Sequence, residues 1–414
     1  MKELSLSVYS ETGLLKTVLV HTPGIEMNLV SPENREDLLF EDILFLSLAR
    51  EEHEMMCAVF EKVVGPGGSV LQISDLLRTS FEQDDARHDF VNRLCRLLPR
   101  QNLQAFESEL KQLSAEELWT FALTGVSPLP IHALPLPNLM FTRDVAAVVC
   151  DHLMLSHPAT SARARESIIM YVVLNYHPAF SRMKDRILVL PQGVTFEGGD
   201  LLVASESVVI IGHSERTSFG GVMSVAKHLI ERTEIEHVLM VNLPKERSCM
   251  HLDTVFTFAS DTECLTFPPI VDLDGLNNIV SYSAGTGGAE FQMITHQNLQ
   301  AGLSELLGRD IDFIPCGGDD PLSQRREQWT DGANLFALAP GVVAGYDRNI
   351  RTYEEMTKRG YRVVSAEGFL SYHKESAFEP GDKLAIKLNG HELSRGRGGP
   401  RCMTMPLSRE RARD

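Results

Sequence analysis

No stretch of this chain approaches the roughly 18 consecutive apolar residues that a membrane-spanning helix needs, and its first residues, Met1-Lys2-Glu3-Leu4-Ser5, hold no apolar signal core. A cytoplasmic protein without a membrane partner is expected. A basic excess is equally missing. Asp and Glu outnumber Lys and Arg by 56 to 39, a formal net charge of −17 at pH 7, whereas a phosphate-backbone partner requires a concentrated basic face. No nucleic-acid partner is expected. The seven cysteines form no C-x-x-C pair and no short Cys/His cluster, so neither a disulfide framework nor a zinc site is read, and no metal is expected.

What is present is a long chain, 414 residues with 43% hydrophobic content, enough to bury one large core or two smaller ones. Short β-like runs alternate with helical patterns at residues 16–21, 70–73, 145–149, 187–190, 201–211, 237–243, 255–258, 312–314, 342–346 and 361–365. That alternation predicts an α/β or α+β fold. Residues 75–126 lose β character and read as helices, among them 81–98 and a segment opening on the capping box Ser114-x-x-Glu117. The division predicted is a main unit of residues 1–74 and 127–414 with an inserted helical subdomain at 75–126.

Within the main unit a pattern recurs: a polar element ending in Asp or Asn, a short strand, a turn, a second strand, a helix and a third strand. Its markers are Asp144, Asp200, Asp253 and Asn334, spaced 56, 53 and 81 residues apart, and a fifth could come from the N-terminal part. Modules around an axis would bring such strand ends together. An ordinary sheet whose strands begin with turn-forming Asp or Asn would show the same spacing, and the repeats alone leave both open.

Chemistry concentrates in four segments, residues 137–144, 196–200, 250–254 and 396–404. Most cysteines sit in apolar runs, as Cys150 does after Ala146-Ala147-Val148-Val149, and read as inert buried thiols. Cys402 follows Arg397-Gly398-Gly399-Pro400-Arg401, a basic, glycine-rich run of the kind that exposes a thiol and favours its thiolate. A flat guanidinium attacked by such a thiolate would need carboxylates for paired hydrogen bonds and a histidine to shuttle protons. In His251-Leu252-Asp253 a strand-like period of two would put both side chains on one face.

These residues resemble the arginine deiminases of the guanidino-modifying, or pentein, superfamily. The likeness runs over nearly the whole chain, through residues 36–42 (E-D-L-L-F-E-D), 137–144, 163–166, 197–200, 212–216 (G-H-S-E-R), 251–256 (H-L-D-T-V-F), 326–329 (R-E-Q-W), 340–349 (P-G-V-V-A-G-Y-D-R-N) and 392–404. It implies a five-bladed α/β-propeller, and hydrolysis of L-arginine to L-citrulline and ammonia as the first step of arginine catabolism. No cofactor is implied, and a homodimer or homotetramer is. It also implies Cys402 as nucleophile, His251 as general acid/base, Asp144 and Asp253 as guanidinium clamp with Glu197 beside them, and Asn138, Phe141, Arg163, Arg216, Gly396 and Arg397 as the pocket for the amino-acid end. Pro400-Arg401 departs from the Gly-His common in that family, and residues 281–300 match no part of it. An amidinotransferase, a hydrolase of agmatine or methylated arginine, and a non-catalytic arginine-binding protein are the rival readings. Agmatine has no carboxylate for Arg163, Arg216 and Arg397, and a binder has no use for Cys402.

Overall fold

Buried strands of the computed structural model, which describes residues 4–97, 103–271, 278–372, 378–379 and 381–411, recur in one unit: two antiparallel strands, then a third that returns through a helix and pairs parallel to the second. Ala146–Val149 pairs with His152–Leu155, and Ile187–Val189 joins after the helix Ala164–Tyr176. Leu201–Val203, Val208–His213 and His237–Asn242 repeat the arrangement around the helix Phe219–Arg232. Phe256–Phe258, Glu263–Thr266 and Asp312–Pro315 repeat it again. In the fourth case Leu384–Leu388 lies between Val342–Tyr346 and Arg362–Ser365. The fifth is built from distant parts of the chain, because Met405–Arg409 is the antiparallel partner of Leu15–Val20, which runs parallel to Ser69–Gln72. The result is a mixed α/β fold of five separate sheets.

The expected run 201–211 is therefore two strands, broken where Ala204 and Ser205 both donate to the Val208 carbonyl. Residues 281–300, unplaced from sequence, supply most of a hairpin, Ile279–Ala284 with Phe291–Thr295, that widens one sheet to five strands.

Residues 75–126 are helical as expected, in Ile73–Ser80, Asp84–Leu97, Leu103–Leu110 and Ala115–Thr124; the last residue of the expected helix 81–98 lies outside the described residues. The capping box at Ser114 forms in both directions, and Gly125 ends that helix at φ 70°, a conformation a side chain would strain. These helices have no core of their own. Phe81, Phe90, Leu94 and Phe121 pack in the same cluster as Met170 and Val173 of the helix Ala164–Tyr176, and each buried ring contributes roughly 1.5–3 kcal/mol. No described helix is long and apolar enough to cross a membrane.

The marker residues meet. Asp144, Asp200 and Asp253 lie in the short 3-10 turns Thr142–Val145, Gly198–Asp200 and Leu252–Thr254 that lead into strands. Leu252 N donates to Asp200 Oδ1 at 2.9 Å, Asn334 Nδ2 to the Asp253 carbonyl at 2.8 Å, Cys402 N to Asn334 Oδ1 at 3.0 Å, and Arg143 N to the Cys402 carbonyl at 3.0 Å. Gly198 completes the circuit, its absent Cβ falling 2.2 Å from the Arg143 carbonyl oxygen, so only glycine fits. Entry turns from all five sheets thus touch in series.

Candidate active site

The loop that carries the thiol is held by its own chain. After the 3-10 turn Leu393–Gly396, Arg397 adopts φ 62°, and Thr404 Oγ1 donates back to the Pro400 and Arg401 carbonyls. With its amide on Asn334, Cys402 places Sγ 3.7 Å from Asp253 Oδ2. His251 stands opposite, Nε2 at 2.8 Å from Glu197 Oε2 and Nδ1 at 3.7 Å from Asp144 Oδ1. The two side chains of His251-Leu252-Asp253 do serve one site, but not by strand alternation: His251 is the extended residue that opens the 3-10 turn holding Asp253.

Asn138, Phe141, Asp144, Arg163, Arg216, His251, Gly396, Arg397 and Cys402 all line one cavity, and Glu197 and Asp253 lie behind its wall. The cavity measures only about 30 Å³, room for a water or so. Arg163 is the most heavily bonded of its lining residues. Nη1 of Arg163 is 2.5 Å from Asp144 Oδ2, Nε is 2.9 Å from Glu166 Oε2, and Nη2 donates to the carbonyls of Asn138 and Phe141. Arg216 Nη1 is 3.9 Å from Glu197 Oε1. Arg397 stacks on the Trp329 ring at 3.4 Å, and Phe141 packs where Gly398 leaves no room for a Cβ.

Several buried atoms in this compact site have no hydrogen-bond partner: Asp144 Oδ1, Asp253 Oδ1, Arg216 Nε, and Nε and Nη1 of Arg397. Leaving such groups without a hydrogen bond costs roughly 1–3 kcal/mol each, more when charged, so the site holds free acceptors and free donors for something to complete. That pattern suits an α-amino acid bearing a guanidinium.

The protonation pattern corrects the expected thiolate. Cys402 is 5% exposed rather than open to solvent. Burial, then Asp253, Asp144 and Asp331, push its pKa well above the ordinary thiol value, against the pull of Arg401. The basic residues of the loop point elsewhere: Arg397 lies on Trp329, and Arg401 binds Glu11 and Asp253. In the unliganded site Cys402 is a neutral thiol. Burial pulls His251 down, but Asp144 and the hydrogen bond to Glu197 outweigh it and raise the imidazole to about 10. Glu197, which burial pushes up, is brought down to about 2 by His251, Arg163 and Arg216. The site therefore pairs a protonated histidine with an ionised glutamate.

Asp144, Glu197 and His251 present ligand atoms within 4.8 Å of one another, a spacing that could hold a metal ion. Those atoms already face cations: Arg163 on Asp144, imidazolium on Glu197. A divalent ion would have to displace both.

Folding itself should feel these shifts. Burial pushes Glu166, Asp200 and Asp331 up to about 7. Their protonated forms favour the folded state, fully below the ordinary carboxyl range and less as pH rises to 7. His251 adds stability that is full below 6.5 and lost as pH climbs through 10. Glu11 and Glu197, lowered to about 2, add stability that is lost only as pH falls below 4.5. The urea midpoint is expected to peak near the 4.5 where these windows meet and to fall steadily toward alkaline pH; a midpoint that climbs from acid to pH 9 would contradict these assignments.

The arginine deiminase family model matches residues 36–409. The chain belongs to the arginine deiminase family. An arginine deiminase of Listeria monocytogenes serovar 1/2a is 36% identical over 433 residues, covering 99% of this chain and 98% of the relative. One from Bacillus cereus strain B4264 is 33% identical with 98% of both covered. Among solved structures, the N-terminal domain of ArgZ, an arginine dihydrolase of the cyanobacterial ornithine-ammonia cycle, bound to product, superposes with a TM-score of 0.52 at 14% identity. It covers 95% of this chain and 97% of that one.

Family membership does not by itself point to the residues behind the deiminase-like site. Asn334, which bonds both Asp253 and Cys402, was legible only as a repeat marker. Arg247, which lines the cavity with Leu39 and binds the Leu39 carbonyl and Glu41, and Glu11, bound to Arg401, carried no sequence signal, since each lies outside every chemical motif.

Proposed function

We propose that the chain hydrolyses L-arginine to L-citrulline and ammonia through a covalent adduct on Cys402. The observation that carries this is the pair of oxygens that accept no hydrogen bond, Asp144 Oδ1 and Asp253 Oδ1, in a site with a thiol. A guanidinium held between them presents its carbon to Sγ, with bidentate geometry fixing the plane. Arg163 leaves Asp144 as substrate enters and, with Arg216 and Arg397, receives the carboxylate, while Asn138, Phe141 and Gly396 shape the pocket around the chain.

The substrate's own positive charge opposes the carboxylates that hold the thiol neutral, so binding releases the proton of Cys402. Sγ attacks the guanidinium carbon, and a C–N bond breaks as His251 delivers a proton to the departing nitrogen, which leaves as ammonia. The S-alkylthiouronium that remains is attacked by water, whose proton His251, now neutral, accepts. Collapse breaks the C–S bond, restores the thiol and releases citrulline. Water supplies the oxygen, and the two released protons and nitrogen leave as ammonium. Glu197 keeps the imidazole oriented and charged for the first half-reaction.

The five sheets are read as blades around one axis, supported by the shared strand pattern and the serial contacts of their entry turns. Residues 75–126 are then an insertion between the blade ending at Ser69–Gln72 and the one beginning at Ala146–Val149. Family membership supports a cytoplasmic homodimer or homotetramer acting in arginine catabolism.

Purified protein, assayed for citrulline and ammonia with L-arginine and with agmatine, is expected to turn over arginine alone, and equally in a metal chelator. Turnover of agmatine would remove the roles given to Arg216 and Arg397, and loss of activity in chelator would bring the Asp144, Glu197, His251 cluster back as a metal site.

A further inference from the structure

Arg401, the residue before the thiol, is 1% exposed, yet its guanidinium reaches no substrate space. Nη1 lies 2.8 Å from Asp253 Oδ2; Nε and Nη2 lie 3.0 and 2.9 Å from the two oxygens of Glu11; Nη2 also donates to the Leu201 carbonyl at 2.9 Å. Cys402 Sγ is 3.7 Å from that same Asp253 Oδ2. One oxygen of Asp253 is thus committed to Arg401 and the other, Oδ1, is left bare. Glu11 is fixed in turn, its carboxylate accepting from Val203 N at 3.2 Å and its own amide donating to the Val203 carbonyl at 2.7 Å.

We propose that Arg401, anchored by Glu11, is a positioning residue for arginine hydrolysis, locking Asp253 so that its free oxygen meets the substrate guanidinium while Sγ stays in line with the carbon. The proposal rests on reading Asp253 as a guanidinium ligand. Its physical basis is the fork of arginine, which holds two carboxylates at fixed angles, as a point charge cannot. Alternatives for steadying Asp253 are poor. Asn334 bonds only its backbone carbonyl, and another guanidinium that acts on its charge, Arg143, donates to the Arg401 carbonyl at 3.4 Å and has a second nitrogen without a hydrogen-bond partner.

The charged groups around Asp253 also make its ionisation depend on this contact. Burial raises its carboxyl, Asp144 adds to that, and Arg401, His251 and Arg143 oppose it, Arg401 most; Cys402 and Asp331 are further neighbours that its charge affects. Without Arg401, Asp253 would retain a proton to higher pH. A protonated Asp253 is a poor guanidinium ligand, so the defect should be worst in acid.

The test is kcat and KM for L-arginine across pH 5–9 in wild type, R401Q, R401K and E11Q, with infrared spectra of the unliganded proteins over the same range. In R401Q, kcat/KM is expected to fall about 100-fold near neutrality, the size of effect that a small misplacement of a clamp group produces, with the acid limb displaced upward in pH. R401K should return the limb toward its wild-type position while recovering only part of the rate, and E11Q should lower the rate with a smaller displacement. A protonated-carboxyl band should persist to higher pH in R401Q than in wild type and be lost in R401Q/D253N. Profiles of R401Q and E11Q that superpose on wild type after scaling, with no added band, would overturn the proposal. If R401Q does not fold by near-ultraviolet circular dichroism, R401K and E11Q decide it by the same criteria. A wild type that makes no citrulline would sink the arginine hydrolase reading instead, and the infrared comparison would still judge the contact between Arg401 and Asp253.

Discussion

Citrulline formation is expected to fall on the order of a million-fold when Cys402 becomes alanine, the loss seen when a covalent nucleophile is removed and only binding and charge stabilisation remain. The structure predicts that this variant folds. Cys402 is fixed through its backbone amide on Asn334 and its carbonyl on Arg143, and neither bond uses the side chain. The thiol's one polar contact, at 3.7 Å, is to an oxygen that Arg401 already satisfies. Comparing citrulline release with urea melts of the same preparation separates chemistry from folding. Other buried thiols give the control: Cys316, pushed up to about 12 by burial, lies outside the cavity, and its replacement by serine should leave turnover near wild type. Substantial activity in Cys402→Ala would refute the covalent mechanism.

Arg163→Met is the second large effect, and it acts on stability. One buried guanidinium faces Asp144, Glu166 and Glu197. Removing it takes away a cation shared by three buried carboxylates, leaving Glu166 without its ion pair, and breaking a buried pair in this way costs roughly 3–5 kcal/mol. The loss should depend on pH. Glu166, raised to about 7 even with Arg163 in place, can take up a proton in acid and so remove that unpaired charge. Urea unfolding of the variant at pH 8 is expected to show the full loss, and at pH 5 a markedly smaller one. Equal losses at both would mean that Glu166 is not the group being relieved.

How much of this was visible in the sequence depended on what each residue interacts with. Strand runs with strong apolar character, such as Val342–Tyr346, were legible because both faces are buried. Their partners at His152–Leu155, Glu263–Thr266 and Met405–Arg409 carry His, Glu, Ser and Pro and do not read as strands alone; pairing across the sheet makes them so. At the site, residue types conveyed the chemical inventory. Charge state was not legible, because the basic residues beside Cys402 in sequence are outweighed in space by burial and by carboxylates distant along the chain. Arg397 turns to Trp329 through its left-handed backbone, and Asp253 and Asp331, far away along the chain, set the thiol instead. Glu11 escaped notice because a single carboxylate on an irregular segment has no pattern to betray it.

Closure of the fifth sheet has a consequence for biosynthesis. Among the described residues Leu15–Val20 finds its antiparallel partner in Met405–Arg409, so this strand must wait while the residues between are made, some tens of seconds at ordinary elongation rates. Cys402 lies just ahead of that last strand. A nascent chain therefore lacks the thiol of the cavity while its earlier sheets form, and Cys402 meets the carboxylate of Asp253 only once residues 402–409 are free to fold. Enzymatic activity should thus appear late in the making of these residues, limited by that long-range pairing rather than by the folding of any earlier sheet.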